Sequence, residues 1–230
     1  MIKQIISSFG IGAAALVVAA LMYSAAEPAI GFGAATSTSQ FTISETVTSE
    51  ISFKTPASNV TLSPSLGGIT GGDATGTTQV VVSTNNSTGY NMTVQASSSL
   101  GMLGNSNPAD TIPAYVPSSA DVPDFNFTVP ANAAYFGYTV SASTTADLAQ
   151  LFKDNGTSCN TGSSDTAGLA HCWLNASTTA VTVVDTSSAT LGSGSTSTLA
   201  FHVRINSNPS PSIPNDTYVA TTTLTAVTNP

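Results

Sequence analysis

The segment that decides the fold class is Gln79-Val-Val-Val-Ser-Thr84, Asn85-Asn-Ser-Thr-Gly89, Tyr90-Asn-Met-Thr-Val-Gln-Ala96. In its second arm, apolar side chains alternate with polar ones. This is the pattern of a β-strand with one face in a core and the other in water. The Asn, Ser, Thr and Gly residues between the two arms are typical of a turn. The segment therefore predicts two strands joined as a β-hairpin.

The same alternation recurs along the chain and predicts about nine strands. Short connections favour antiparallel pairing, so we expect an all-β, antiparallel Greek-key (Ig-like) sandwich, with a closed barrel as the alternative. The predicted strands cover residues 41–54 (as one strand or a pair), 59–62, 79–84, 90–96, 125–129, 134–140, 179–184, 198–205 and 217–228.

One short helix is predicted, with Thr144 or Thr145 as its cap and Asn155-Gly156 as its stop signal. Leu148, Leu151 and Phe152 would share its buried face. The helix falls in one of two expected insertions into the β domain, at about 97–123 and about 144–176. The domain itself is expected to span 41–230, after a flexible Gly/Ala/Ser/Thr linker at 27–40.

Residues 1–26 resemble an export signal. Lys3 is followed by a run without charge that reaches Ala26, and Ser24-Ala25-Ala26 is a small-residue cleavage site. A retained membrane anchor is the alternative, because the uncharged run is long enough to cross a bilayer. Both interpretations place the domain outside the cytoplasm, extracellular or at the cell surface. The membrane would be contacted only through this segment.

Charged residues make up only 7% of the chain, and four basic against twelve acidic residues give a net charge of −8. Removing residues 1–26 takes away Lys3 and no acid, so the charge becomes three minus twelve, or −9. A surface of this sign repels phosphate backbones, so we expect no nucleic-acid partner. Solubility must come from Ser, Thr and Asn, which suit strand surfaces better than helix interiors.

The two cysteines, Cys159 and Cys172, predict a disulfide, because an even pair in an exported chain is typical of an oxidised bridge. With only His171 beside them, no zinc site is expected. The acids of Asp121-Val-Pro-Asp124 and Asp154-Asn-Gly156 do not have the spacing of a calcium loop, so we expect ordinary turn roles. No cofactor is expected.

No catalytic constellation is evident, and we expect no enzymatic activity. The two histidines are His171 and His202. His202 and Arg204 fall on the outer face of the strand at 198–205, whereas Leu199, Phe201, Val203 and Ile205 alternate with them and face inward. Neither histidine has an acidic residue on its own strand to orient it, as a catalytic triad requires.

An internal amide is one covalent hypothesis. Lys54 ends an early strand and Asn229 ends the last one, and in β-sandwich surface proteins such a pair can condense beside a buried acid, here Glu45 or Glu50. The alternative is a solvated lysine and a frayed end of the chain. Loss of one ammonia from the intact mass separates the two.

Eight Asn-x-Ser/Thr sequons make glycosylation sterically plausible, although a chain so rich in these residues generates them by chance. They begin at Asn59, Asn85, Asn86, Asn91, Asn126, Asn155, Asn175 and Asn215. Three aromatic side chains are candidates for stacking on a sugar ring, with core packing as the alternative. They are Tyr115, Tyr135 and Trp173.

Four segments together resemble uncharacterised exported β-sandwich surface proteins of small-genomed bacteria, which are distantly similar to WxL-type cell-wall-associated domains. They are Ile51-Ser-Phe53, Leu62-Ser-Pro-Ser-Leu-Gly-Gly-Ile-Thr-Gly-Gly72, the Val-rich segment with Asn85-Asn-Ser-Thr-Gly-Tyr90, and Thr217-Tyr-Val-Ala-Thr-Thr-Thr-Leu-Thr-Ala226. The resemblance implies non-covalent surface association. This chain lacks the Trp-x-Leu motif and has only Trp173-Leu174.

Three functional hypotheses follow. The first is a non-enzymatic structural or adhesive protein of the cell surface. The second is a filament subunit in which residues 35–54 of one copy complete the sheet of the next. The third is a carbohydrate-binding module. The expected partners are accordingly other surface proteins, cell-wall or host-surface glycans, or copies of the chain itself.

Overall fold

The computed structural model describes residues 37–165 and 168–230. The chain divides between Thr46 and Val47, and the second unit, Val47–Pro230, contains all the strands described below. The predicted signal peptide at 1–26 and most of the linker at 27–40 lie outside the described residues. Residues 37–50 are exposed and belong to no helix or strand. In the described part of the chain, no helix is long and apolar enough to cross a membrane.

The described residues form eleven strands and three 3-10 turns, which confirms the all-β class. The strands are β1 (Ile51–Thr55), β2 (Gly72–Thr84), β3 (Tyr90–Ala96), β4 (Met102–Gly104), β5 (Thr111–Ile112), β6 (Ala134–Ala142), β7 (Leu174–Asn175), β8 (Val181–Asp185), β9 (Ser195–Ile205), β10 (Tyr218–Val219) and β11 (Thr222–Thr228). The turns are Thr145–Asp147, Gln150–Phe152 and Gly168–Ala170.

Two layers of antiparallel sheet form a sandwich, as the sequence predicts. One layer is a five-strand sheet in the order β1-β2-β9-β6-β7. The other consists of the β3 sheet, in the order β11-β3-β8, and the β4 sheet, in the order β10-β4-β5. Side chains from both layers share the same buried clusters. The first joins Val80, Val140 and Leu199 of the five-strand sheet to Met92 and Val183 of the β3 sheet.

The predicted hairpin at 79–96 is wrong, although both of its strands exist. β2 pairs with β1 and β9, and β3 pairs with β11 and β8, so the two strands lie in opposite layers. The loop at 85–89 therefore connects the two layers of the sandwich. Val82 and Met92 are both fully buried in the same core cluster, which shows that the strands meet face to face. Alternation fixes which face of a strand is buried and leaves its neighbour in the sheet undetermined.

Three predicted strands are absent from the described structure. Residues 41–47, 59–62 and 125–129 have no strand assignment, and Ser63, which follows the second of these segments, forms an isolated bridge with Thr75. The short helix at 144–156 consists of two 3-10 turns separated by extended residues. Leu148 forms a bridge with Val184, and the Ala149 N–H donates to the Val183 carbonyl at 3.0 Å, so pairing with β8 interrupts the helix.

A further apolar cluster lies on the opposite face of the five-strand sheet. Buried Tyr115, Trp173 and Ala200 form it, with Phe127 and Tyr135 packed against them. Tyr115, Phe127 and Trp173 come from long connections that fold over β6 and β9. In this region the five-strand sheet is therefore covered on both faces, and the covering connections hold Tyr115, Trp173 and both cysteines.

Candidate functional site

Two clusters bring together several of the residues that the sequence singles out. One is the aromatic layer, formed by Tyr115, Phe127, Tyr135, Trp173 and His202 on the outer face of the five-strand sheet. The other is the asparagine cluster, formed by Asn85, Asn86 and Asn229 at the end of the sandwich where the loop at 85–89 crosses between layers.

The rings of the aromatic layer stack closely around Phe127. Its centroid lies 4.7 Å from that of Tyr115, 4.3 Å from that of His202 and 5.3 Å from that of Trp173. Tyr135 meets Tyr115 edge to face at 6.0 Å. Offset and edge-to-face contacts of this kind stabilise beyond simple burial, by about 0.5–1.5 kcal/mol per pair.

Gly137 makes room for this layer. It sits on β6 beneath the rings, where a Cβ would lie 2.9 Å from Phe127 Cε2 and 3.1 Å from Tyr115 Cβ. Any larger residue would push the aromatic rings away from the sheet. A glycine in the middle of a strand often marks such a close approach, and here it lets two loop side chains rest directly on the strand.

The predicted sugar-stacking role does not hold for two of its three residues. Tyr115 is only 2% exposed and Trp173 only 5% exposed, because each ring packs against Phe127 and the sheet. The Trp173 indole also donates from Nε1 to the Ala170 carbonyl at 3.0 Å. Tyr135 is half-buried. The structure brings the three residues together as a core, which was the alternative interpretation.

The Tyr115 hydroxyl anchors a turn through Asp124. It donates to Asp124 Oδ2 at 2.6 Å, and the same carboxylate accepts from the Ser118 N–H at 2.9 Å and from the Ser118 hydroxyl. Burial and the hydrogen bond to the negatively charged Asp124 raise the pKa of Tyr115 above its ordinary value. Asp124 therefore has the turn role expected of it.

Asp154, which was also considered as a calcium ligand, supports a turn as well. Asp154 Oδ1 accepts from the Gly156 N–H at 2.7 Å, and the Asp154 backbone bridges both Cys159 and Ser164. Within 37–165 and 168–230, no group of three or more His, Cys, Asp or Glu residues is placed to hold a metal ion.

His202 has an acidic partner that sequence reasoning missed. Its Nε2 lies 2.8 Å from Asp73 Oδ1 on the neighbouring strand β2, and Arg204 Nε lies 3.8 Å from the same oxygen. The His202 side chain is 14% exposed, because Phe127 stacks on it. Asp73 thus fixes the orientation of a ring that belongs to the aromatic layer. Only knowledge that β2 pairs with β9 would have found this contact.

His171 is also held in place by packing. Its ring stacks on Phe125 at a centroid distance of 3.8 Å, and its Nδ1 lies 2.7 Å from the Phe125 carbonyl oxygen. The two histidines therefore bind to different partners. Both contacts are structural.

The asparagine cluster joins three parts of the chain. Asn85 Nδ2 donates to the Thr48 carbonyl at 2.9 Å, and Asn85 Oδ1 accepts from the Glu50 N–H at 2.6 Å. Asn86 Nδ2 donates to the Asn229 carbonyl at 2.7 Å. The residues just before β1 and the residue just after β11 are therefore hydrogen-bonded to the same loop, at 85–89.

The hypothetical internal amide lacks the required geometry. Lys54 Nζ donates to the Gly192 carbonyl. Asn229 Nδ2 donates instead to the carbonyls of Thr186, at 2.8 Å, and Thr88, at 3.1 Å. Glu45 lies in the exposed segment before β1. These hydrogen bonds give the lysine and the asparagine separate partners, so the structure does not bring the reacting groups together.

The eight sequons divide by exposure. Half are half-buried, and three of these asparagines donate from Nδ2 to backbone carbonyls, as Asn85 and Asn86 do above and Asn175 does to Ala176. The four exposed asparagines are Asn59, Asn126, Asn155 and Asn215.

Exposed apolar side chains occur in the segment that precedes β1. Phe41 is 81% exposed, Ile43 84% and Val47 82%. They occupy alternate positions, so in an extended conformation they share one face. Sequence reasoning identified this segment from the same alternation.

The predicted disulfide is confirmed. Cys159 and Cys172 are bonded, and no free cysteine remains among the described residues. A disulfide is characteristic of an oxidising environment.

A comparison with protein-family models and with curated proteins finds no match to this chain.

Proposed function

We propose that this protein is exported and acts at the cell surface as a structural or adhesive protein without enzymatic activity. The observation that carries the proposal is that the groups with reactive potential are used to hold the fold together. His202 and Asp73 bind each other beside the aromatic layer, and Tyr115 binds Asp124. The disulfide supports export.

Fractionation of the producing cells tests this proposal. Antibody detection should find the protein in the surface or secreted fraction, and alkylation without reductant should label no cysteine. Alkylation after reduction is the matched control and should label both Cys159 and Cys172. Recovery from the cytosol with both thiols free would contradict the proposal.

A filament subunit is the second candidate function. The observation that favours it is the exposed apolar face of Phe41, Ile43 and Val47, which is costly to leave in water unless a partner covers it. Of the predicted donor segment 35–54, residues 51–54 pair within their own sheet as part of β1. Thr48 and Glu50 are hydrogen-bonded to Asn85, so the described part that is free to donate is 37–47. Electron microscopy of the purified protein should reveal fibres, whereas discrete folded monomers at all concentrations would exclude this function.

A further inference from the structure

We propose that the free edge of β11 accepts residues 41–47 of a second copy as an added antiparallel strand. In this arrangement, Phe41 and Ile43 of the second copy pack beside Ala226 and Leu224. The inference rests on the filament candidate above and identifies its acceptor. It follows from the burial of β11, from the protection of the other sheet edges and from the anchoring of the donor segment.

The inner side chains of β11 are incompletely covered. Leu224 lies opposite Val94 of β3, and Ala226 lies opposite Met92. The β3 residues are 4% and 0% exposed, whereas both β11 residues are only half-buried. All four belong to the same apolar core. The difference arises because β3 is paired on both sides and β11 on one, so the inner side chains of β11 have no strand neighbour on their outer side.

β11 also lacks the features that normally protect an edge. Its seven residues, Thr222–Thr228, include no charge and no proline, and in the described structure no strand pairs with its outer side. Natural proteins usually shorten, charge, bulge or cover such edges. The other edge strands here are protected in these ways.

Each of the other edges has an identifiable protection. β5, β7 and β10 have two residues each. β1 carries Lys54 and a register shift between Phe53 and Thr55. The outer side of β8 is covered where Leu148 and Ala149 pair with it. β11 is therefore the long edge in the described structure that has no paired strand on its outer side, although β1 of the other layer lies close to it.

One antiparallel register matches the apolar faces of donor and acceptor. It sets Thr42 opposite Thr225, with both side chains pointing outward. Phe41 then lies beside Ala226, Ile43 beside Leu224, and Val47 beside the half-buried Ala220. Glu45 shares this inward face and falls opposite Thr222, the first residue of β11. A shift by one residue would turn the apolar donor side chains toward solvent.

The donor must come from another molecule in this register. Within one copy, Thr48 and Glu50 are bound to Asn85, and Asn86 of the same loop binds Asn229 just after β11. Val47 is therefore held near the C-terminal end of its own β11. Ala220 lies eight residues before Thr228, or about 26 Å away at 3.3 Å per residue. The copy's own Val47 cannot reach it.

Cysteine pairing tests the register. Thr42→Cys and Thr225→Cys variants of the full exported chain, mixed under mild oxidation, should form a disulfide-linked species of twice the mass. Thr42→Cys mixed with Thr77→Cys is the matched control, because Thr77 is exposed on β2, away from the proposed edge. Equal cross-linking in both mixtures would overturn the proposal. So would a bond that forms only within single chains of the Thr42→Cys/Thr225→Cys double variant.

A second measurement tests the apolar contact. Ile43→Asp places a charge beside Leu224, whereas Thr42→Asp places the same charge on the outward face of the same segment. Sedimentation should show self-association weakened about 10- to 100-fold by Ile43→Asp, from loss of one buried aliphatic side chain. Thr42→Asp should change it less than threefold. Since Ile43 is 84% exposed in a single copy, neither variant should affect folding.

The outcomes separate this inference from the proposed functions. Equal effects of the two Asp variants, or a monomer at every concentration, would overturn strand addition at β11 and leave a surface role intact. Filaments that persist in Ile43→Asp would retain the assembly function and exclude this acceptor. Cytosolic protein with free thiols would contradict the surface role whatever its state of association.

Discussion

Removal of one buried hydroxyl should leave this protein as stable as before or more stable. Tyr138 on β6 is 3% exposed, and among the described residues its hydroxyl has no hydrogen-bond partner. Burying an unsatisfied hydroxyl costs about 1–3 kcal/mol. Tyr138→Phe removes that cost and keeps the ring in the core, so we expect a change between zero and about 2 kcal/mol in the stabilising direction.

Tyr115→Phe is the matched comparison, because it removes the same atom from a ring that is equally buried. Here the hydroxyl donates to the Asp124 carboxylate at 2.6 Å. A hydrogen bond to a charged group contributes about 1.5–3 kcal/mol, so this variant should be less stable by about 2 kcal/mol. The two substitutions should therefore have opposite or clearly different effects.

Chemical denaturation of the three proteins measures the difference. The midpoints should shift while the slope of unfolding free energy against denaturant stays constant. In thermal scans, each 1 kcal/mol should correspond to about 2–4 °C for a domain of this size. A loss of more than about 1 kcal/mol in Tyr138→Phe would mean that its hydroxyl has a stabilising partner, and would refute the reasoning.

The same tyrosines make the fold sensitive to alkali. Burial raises the pKa of Tyr138, and burial together with Asp124 raises that of Tyr115. Between the ordinary tyrosine pKa of about 10 and the raised native value, the unfolded chain releases protons that the native chain retains. The contribution of these two tyrosines to the free energy of unfolding is therefore fully present below about pH 10 and decreases as the pH rises above it. Tyr138→Phe should lose stability less steeply there.

Three further changes have expected outcomes. Gly137→Ala should destabilise by about 1–3 kcal/mol and redshift tryptophan fluorescence, because its Cβ would lie 2.9 Å from Phe127 Cε2; unchanged stability would contradict the close packing. Replacing Cys159 and Cys172 by serine should cost about 3 kcal/mol in denaturant unfolding, through the freed loop, and an unchanged midpoint would argue against it. Partial desolvation raises the pKa of Asp216, but hydrogen bonds from backbone N–H groups and a serine hydroxyl outweigh it, so the pKa is lowered overall. These hydrogen bonds to the Asp216 carboxylate are therefore fully present above the ordinary aspartate pKa near 4, and they are lost as the pH falls through the lowered pKa. Protection of these N–H groups from exchange, taken relative to the intrinsic rate at each pH, should fall there, and Asp216→Asn should remove that loss of protection with pH.

Local alternation identified the strands that build the core. In β9, Leu199, Val203 and Ile205 are buried while Arg204 is exposed, as their period of two predicts. β3 follows the same rule. Alternation does not show which strands are hydrogen-bonded to each other. Two strands with inward-facing apolar residues can be neighbours in one sheet or can face each other across the core.

The candidate site was less accessible to sequence reasoning. Contact between His202 and Asp73 joins residues 129 positions apart through strand pairing. Burial of Tyr115 and Trp173 depends on long connections folding over the outer face of the sheet. One signal was present: Gly137 and Ala200 place small, uncharged residues on that outward face, where a solvated strand normally carries polar ones.

The first strand of the sandwich begins, and the last strand ends, at the same end of the domain. Ile51 at the start of β1 lies opposite Thr84, and Thr228 at the end of β11 lies opposite Tyr90, on the two flanks of the loop at 85–89. Tension applied between the two ends would therefore load the hydrogen bonds of β1 and β11 one after another, as in unzipping, instead of shearing them together. In single-molecule stretching, the domain should yield at low force by peeling these two strands first.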